Sequence, residues 1–202
     1  MRPITISSMP TGRCLRALRP EAATGNTWTL TVQSALIGGT TLDDTAWQER
    51  LAALENRVRQ LEDEVAIHRL INSWGPAVDT GNAEAAAALF AEDGILESDL
   101  SYLIGPAAVA AMVRGEGHQS LIRDGSAHIP AFPVIQISGD EATAIGYSRV
   151  YRHTDDGYEV WRVSANRWQF RRTGEGWRMT RRTNHVIDGG RAAPRILGQL
   201  FE

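Results

Sequence analysis

Apolar positions change their period along this chain. Between residues 42 and 74 they recur at spacings of four and three, at Trp47, Leu51, Leu54, Val58, Leu61 and Val65, with His68 in the next place. That stripe predicts an extended helix, opened by Asp43, Asp44 or Thr45 as its cap. Two arrangements fit it: an amphipathic helix lying on its own domain, or a short coiled coil between protomers. Gly75-Pro76 should kink or end the helix, since Pro76 cannot donate to the Asn72 carbonyl. Asp79 then sits just past the bend, beside Gly81. Asn82 can cap a second, Ala-rich helix in AEAAAALF. ILES (95–98) reads as a short strand, and Gly105-Pro106 opens a helix in PAAVAAMVRG.

From residue 127 onward the period becomes two. Residues 127–137 read as one strand interrupted by Pro130 and Pro133, and so at an edge or bulged. SGDE is a turn, TAIGYSRVYRH a second strand, DDG a hairpin turn and YEVWRVSANRWQFRR a long third strand. TGEG leads into a last strand in GWRMTRRTNHVID, and RAAPRILGQLFE (191–202) forms a short tail. Helices followed by consecutive hairpins predict an α+β domain over 42–190. Its cone-like, curved antiparallel sheet carries helices over the concave face and encloses one pocket. Residues 1–41 hold no sustained period and read as a poorly ordered extension, although TWTLTVQ (27–33) alternates like a strand.

Composition narrows the chemistry. Apolar residues make up 43 % of the 202 positions, enough for a packed core. A net charge of −3 argues against a nucleic-acid surface. All 21 basic residues are arginine, which removes Schiff-base and lysine-base mechanisms. Cys14 is the sole cysteine, so an internal disulfide and a Cys-ligated zinc site are excluded. The histidines at 68, 118, 128, 153 and 185 show no short paired spacing, so no metal is expected. No glycine-rich phosphate loop or GxSxG elbow occurs, and no cofactor is expected. No apolar run approaches the ~18–20 residues that span a membrane. A cytoplasmic location and a small-molecule substrate are therefore expected.

The order of elements, with an Asp closing the first helix and GEGW in the last hairpin, resembles the SnoaL-like branch of the nuclear-transport-factor-2-like superfamily over about residues 60–190. Within it the chain is most similar to the scytalone dehydratase and hexachlorocyclohexane dehydrochlorinase families. The resemblance puts the family Asp on Asp79 in AVDTGN and the family His on His128 in SAHIPAF. The dehydratase SAN tripeptide falls on SANRWQFRR and ends at Asn166, eleven residues before Trp177. His153 is the nearest candidate for the dehydratase's second pocket histidine, and Val78 stands where that family has a tyrosine.

These residues suit proton abstraction next to a carbonyl. A neutral imidazole is a competent base near pH 7, and a carboxylate on its other nitrogen fixes the tautomer. His128 is accordingly the expected base, Asp79 its orienter and Asn166 a donor to a substrate oxygen. Trp74, Val78, Tyr147, His153, Trp168 and Arg171 are expected to contact the substrate. The resemblance implies a cofactor-independent lyase of the dehydratase type. An isomerase, a polyketide-type cyclase and a non-catalytic ligand-binding module are alternatives. A homo-oligomer, dimer or trimer, is expected.

Overall fold

The computed structural model describes residues 44–202. The chain divides into two units at Thr41/Leu42, and the second holds all the described elements. The expectations for residues 1–41, including the strand at 27–33, lie outside the described residues.

Helix α1 (Asp44–Asp79) does not stop at Gly75-Pro76 but runs through both to Asp79. Pro76 and Asn72 face solvent, so water can take the carbonyl that proline leaves unbonded. The opposite side of the helix explains the glycine. Gly75 is buried where α1 crosses strand β3 (Ser126–Pro130), and a Cβ there would lie 2.1 Å from the His128 carbonyl oxygen. Only a residue without a side chain lets the two backbones approach this closely.

Helix α2 (Ala83–Ala87) starts at Asn82, whose side chain accepts from the Ala85 N–H at 3.0 Å. It is shorter than its sequence suggests because Phe90 already belongs to β1 (Phe90–Ser98). Strand β2 (Tyr102–Ile104) and helix α3 (Gly105–Arg114) follow. Helix α4 (Glu116–Asp124) is not predicted by the apolar pattern.

The long strands are β5 (Glu141–Thr154), β6 (Gly157–Thr173) and β7 (Gly176–Val186). The expected single strand at 127–137 is two, β3 and β4 (Val134–Ser138), both paired to β5. Between them the chain crosses Gly146 so closely that a Cβ there would meet Pro133 at 3.1 Å. The curved seven-stranded sheet has the order β2-β1-β7-β6-β5-β3, with β4 also on β5. It is mixed rather than wholly antiparallel, since β1 and β7 run parallel.

One face of the sheet takes the helices. Ile67, Ile71, Trp74 and Val78 of α1 join Val109 and Val113 of α3 against Trp168, Phe170 and Met179. On the other face, α5 (Ala192–Gly198) places Ala193 and Ile196 over Ile145 and Ala165. Asp63 fastens α1 to the β6–β7 hairpin. It accepts from both Arg172 guanidinium nitrogens at 2.7 and 2.6 Å and from the Trp177 indole N–H at 3.0 Å. The Arg172 bonds hold the Asp63 carboxyl below the usual carboxylate range. Among the described residues no helix is long and apolar enough to cross a membrane.

The α1–β3 contact predicts the effect of Gly75→Ala. The added methyl meets backbone, which cannot swing aside, so the helix and strand must separate. Urea unfolding should show a loss of about 1–3 kcal/mol. An unchanged midpoint would mean that the contact is looser than described.

Candidate active site

A cavity of about 440 Å³ opens between the sheet and the helices, a volume suited to a small organic molecule. Trp74 of α1, Leu96 of β1, Met112 of α3 and Trp168 of β6 give it an apolar wall. Its polar lining includes His118, His128, Ser148, Arg162, Arg182 and Asn184.

Asp79 and His128 meet at its edge. The last residue of α1 faces β3, and Asp79 Oδ1 lies 2.6 Å from His128 Nδ1. Its Oδ2 accepts the backbone N–H of the same histidine at 2.8 Å, and Ser126 Oγ donates to Oδ1 at 3.4 Å. Both oxygens are thus committed to β3, which fixes the carboxylate in rotation as well as position. With Nδ1–H donating to Asp79, the lone pair of the neutral ring sits on Nε2. Among the described residues nothing bonds to Nε2. The two side chains are 17 % and 19 % exposed, shielded from bulk water yet reachable through the cavity.

A second histidine enters from α4. His118 Nε2 lies 2.9 Å from the Val78 carbonyl, one residue before Asp79, and its ring centroid is 5.6 Å from that of His128. Burial, first of all, pushes its pKa below the ordinary value, and the neighbouring His128 adds to this. His118 thus supports the end of α1 as a neutral ring whose Nε2–H is given to backbone.

Arg182 lines the same cavity, buried and without a carboxylate within salt-bridge distance among the described residues. Its Nε and Nη2 donate to Asn166 Oδ1 at 3.2 and 3.1 Å. Its guanidinium lies 4.8 Å from the Trp74 ring and 5.7 Å from that of Trp168. Burial, with help from Arg162, pushes its pKa down to about 10, which leaves it cationic at neutral pH. Arg162 does have a carboxylate: it grips Asp99 through both terminal nitrogens and also donates to Asn184 Oδ1 at 3.0 Å. A buried cation held only by amide oxygen and aromatic faces is an unbalanced charge, ready for an anionic or oxyanionic group.

Asn166 organises this wall rather than lining it. Its amide N–H donates to Ser148 Oγ at 2.8 Å, while its oxygen accepts from Arg182 and from Asn184 Nδ2 at 2.8 Å. The side chain is completely buried and its bonds are taken, so the expected direct donation to a substrate is replaced by positioning of Arg182, Asn184 and Ser148.

The strand parities correct several other expectations. On β5 the even positions Ser148 and Val150 face the cavity, which turns Tyr147 and His153 outward. His153 instead meets the edge of Tyr158, with ring centroids 5.2 Å apart. The family position on β5 therefore supplies no pocket histidine here, and α4 brings one instead. Arg171 points away as well, bonding Asp93 at 2.9 Å. Val78 is in the core beneath the site and offers only its carbonyl. Trp74 and Trp168 line the cavity as expected.

Two bulges explain what alternation missed. Between Gln169 and Phe170 the β6–β7 register slips, leaving Thr180 as an extra residue. Met179 is buried, so simple alternation would turn Arg181 inward. The slip presents Arg182 and Asn184 instead and leaves Arg181 on Glu97 at 2.6 Å. A matching slip near Val150 lets the adjacent Trp161 and Arg162 both reach the cavity. Among the described residues no three His, Cys, Asp or Glu side chains converge to hold a metal ion.

The buried His118 makes a pH prediction. Its folded pKa lies below its unfolded one, so the unfolded chain binds the proton first as pH falls. Stability should be undiminished above the unfolded value of about 6.5, decline as pH drops through it, and level off below the folded value. Thermal unfolding across pH should show this slope, and His118→Gln should flatten it. An identical slope in the variant would assign the effect to another group.

The comparisons with known proteins agree with this architecture. Residues 59–183 match the model of the SnoaL-like domain family. An NTF2-like protein with a cystatin-like fold from Novosphingobium aromaticivorans is 40 % identical, covers 78 % of this chain and 98 % of its own, and superposes with a TM-score of 0.70. A protein of unknown function from Mycobacterium tuberculosis shares the fold at 22 % identity, over 63 % of this chain and 73 % of its own, with a TM-score of 0.58. So does a hexachlorocyclohexane dehydrochlorinase from Novosphingobium barchaimii, at 14 % identity over 65 % of this chain and 90 % of its own, with a TM-score of 0.57. No curated protein matches the chain. The match over residues 59–183 and the 40 % identical relative place the chain in one family: it belongs to the SnoaL-like domain proteins.

Proposed function

We propose that this chain is a cofactor-independent lyase, acting by β-elimination on a small, cyclic, largely apolar substrate that carries a carbonyl. The observation that carries the reading is the Asp79–His128 pair at 2.6 Å on the edge of an apolar cavity. His128 Nε2 takes the proton from the carbon next to the carbonyl, and the electron pair of that C–H bond moves into an enolate. Asp79 stabilises the imidazolium as it forms. Arg182 lies in the same cavity, where its unpaired positive charge can meet the enolate oxygen or a departing anion. Re-forming the carbonyl then makes the C=C bond as the bond to the leaving group breaks. A leaving hydroxyl can collect the proton held on His128 and depart as water. His118 is a poor candidate for that donor, because it is neutral and spends its Nε2–H on Val78.

The same proton abstraction serves an isomerase or a cyclase. Arg182 favours elimination, since a buried cation with no carboxylate partner suits a step that releases negative charge. The membership of a dehydrochlorinase in the same fold class is consistent with this preference.

The test separates proton abstraction from loss of the leaving group. Cyclic β-hydroxy ketones and hydroxylated polycyclic ketones are incubated with the protein in D2O and followed by NMR. The wild-type chain should exchange the carbon-bound proton and release water. His128→Ala should abolish both while binding persists. Asp79→Asn should lower the rate by up to roughly 10⁴-fold, the loss that follows when the carboxylate orienting a catalytic histidine is neutralised. Exchange without water release would favour the isomerase or cyclase. Equal rates for wild type and His128→Ala would remove the mechanism.

A further inference from the structure

The apolar stripe over residues 47–65 is not the face by which α1 holds its domain. The side that faces the sheet carries Asp63, Ile67, Ile71, Trp74 and Val78, all buried. The stripe lies on the other side. Asp63 is two residues from Leu61 and two from Val65, about 200° around the helix in either direction. From Trp47 to Val65 the six stripe residues are between 47 % and 62 % exposed, so the reading of α1 as an amphipathic helix lying on its own domain fails for this segment. The segment extends for about four turns beyond the point where Asp63 fastens it. Apolar residues on a projecting helix gain nothing from the rest of the described chain, and a lone helix of this length is marginal in water. At its lower end the stripe runs into an apolar depression formed by Leu61, Val65, His68 and Phe132. There Phe132 stacks on His68 at 4.2 Å and is itself 84 % exposed.

The flanking charges say what covers it. Place Leu51, Val58 and Val65 at the a positions of a heptad and Trp47, Leu54 and Leu61 at d. Valine at two of the three a positions, with leucine at two of the three d positions, favours two parallel strands over three. The g positions are then Arg50, Arg57 and Glu64, and the e positions are Glu55, Glu62 and Arg69. In a parallel, in-register pair each g residue faces the e residue five places on in the other chain. Arg50 meets Glu55, Arg57 meets Glu62, and Glu64 meets Arg69: every pair is of opposite sign, including the last, where both signs reverse. An antiparallel pair centred near Arg57 would set g against g and e against e, putting Arg57 against its own copy and Glu55 against its own. Among the described residues none of Glu55, Arg57, Glu62 and Arg69 forms an ion pair within its own chain.

We propose that residues 47–65 form a parallel, in-register, two-stranded coiled coil with a second copy of this chain, which joins two pocket domains side by side at its C-terminal end. The occupant is fixed by the charge register rather than by the apolar stripe alone, since an unrelated helix has no reason to match a pattern that changes sign along its length. The inference does not depend on the chemistry assigned to the pocket.

Cysteine cross-linking of the full chain tests it. In a Cys14→Ser background, Leu54→Cys puts a thiol at a d position and Asn56→Cys puts one on the outer face. Mild oxidation should give a covalent dimer from Leu54→Cys and little from Asn56→Cys. A charge exchange keeps the test open if one substitution perturbs folding. The g-reversed chain (Arg50→Glu, Arg57→Glu, Glu64→Arg) and the e-reversed chain (Glu55→Arg, Glu62→Arg, Arg69→Glu) should each lose Leu54→Cys cross-linking alone and regain it when mixed. No cross-link from Leu54→Cys would overturn the proposal, and would mean that the stripe is covered by another segment or by a different protein. Equal cross-linking at both positions would overturn it too, as would undiminished self-association of both reversed chains.

Discussion

The carboxylate of Asp79, bound twice to one residue of strand β3, is the constraint on which the site depends. One oxygen meets the His128 ring and the other meets its backbone N–H. These bonds lock the end of a 36-residue helix to an edge strand, and they also orient the imidazole. Neither would form if α1 stood one methyl group farther from β3. Gly75 permits that approach, because its missing side chain is replaced by the His128 carbonyl. Backbone packing and the geometry of the dyad are here the same contact seen from two sides.

Around this contact the fold separates two electrostatic environments. The dyad sits at the C-terminal end of α1, tied to the edge strand β3. In the same cavity a fixed cation, Arg182, is held by neutral groups and aromatic faces. Asn166 sits between the polar residues of the wall, linking Ser148, Arg182 and Asn184, with Asn184 tied in turn to Arg162 and Asp99. A network so fully bonded leaves little freedom for its cation to reorganise, which suits stabilisation of charge that develops during a reaction. The apolar wall supplies shape, while the network supplies orientation.

The sequence made the fold class and the dyad legible, for identifiable reasons. Strand alternation from residue 127 onward marked the hairpins, and the Asp and His occurred in strings that carry a family resemblance. Other parts were hidden because the deciding interaction is not local. Proline at 76 reads as a helix end, yet its loss is borne by a solvent-facing carbonyl. The inward turn of Arg182 depends on a register slip at Thr180 that alternation cannot show. Sequence position points to Tyr147 and His153 as pocket residues, yet β5 turns both outward. His118 lies on a helix whose short apolar pattern gave no signal, and only the tertiary fold brings it beside His128. Asn166 was in the right place, but its bonding capacity is consumed by its neighbours.

Asp79 holds His128 with Nδ1 protonated and Nε2 open toward the cavity. Long-range ¹H–¹⁵N correlation spectra of the imidazole read this directly. Once the ring is neutral, Nδ1 should carry the hydrogen and Nε2 should show the shift of an unprotonated nitrogen. Asp79→Asn should disturb this preference. A neutral ring protonated on Nε2, unchanged by that substitution, would contradict this assignment.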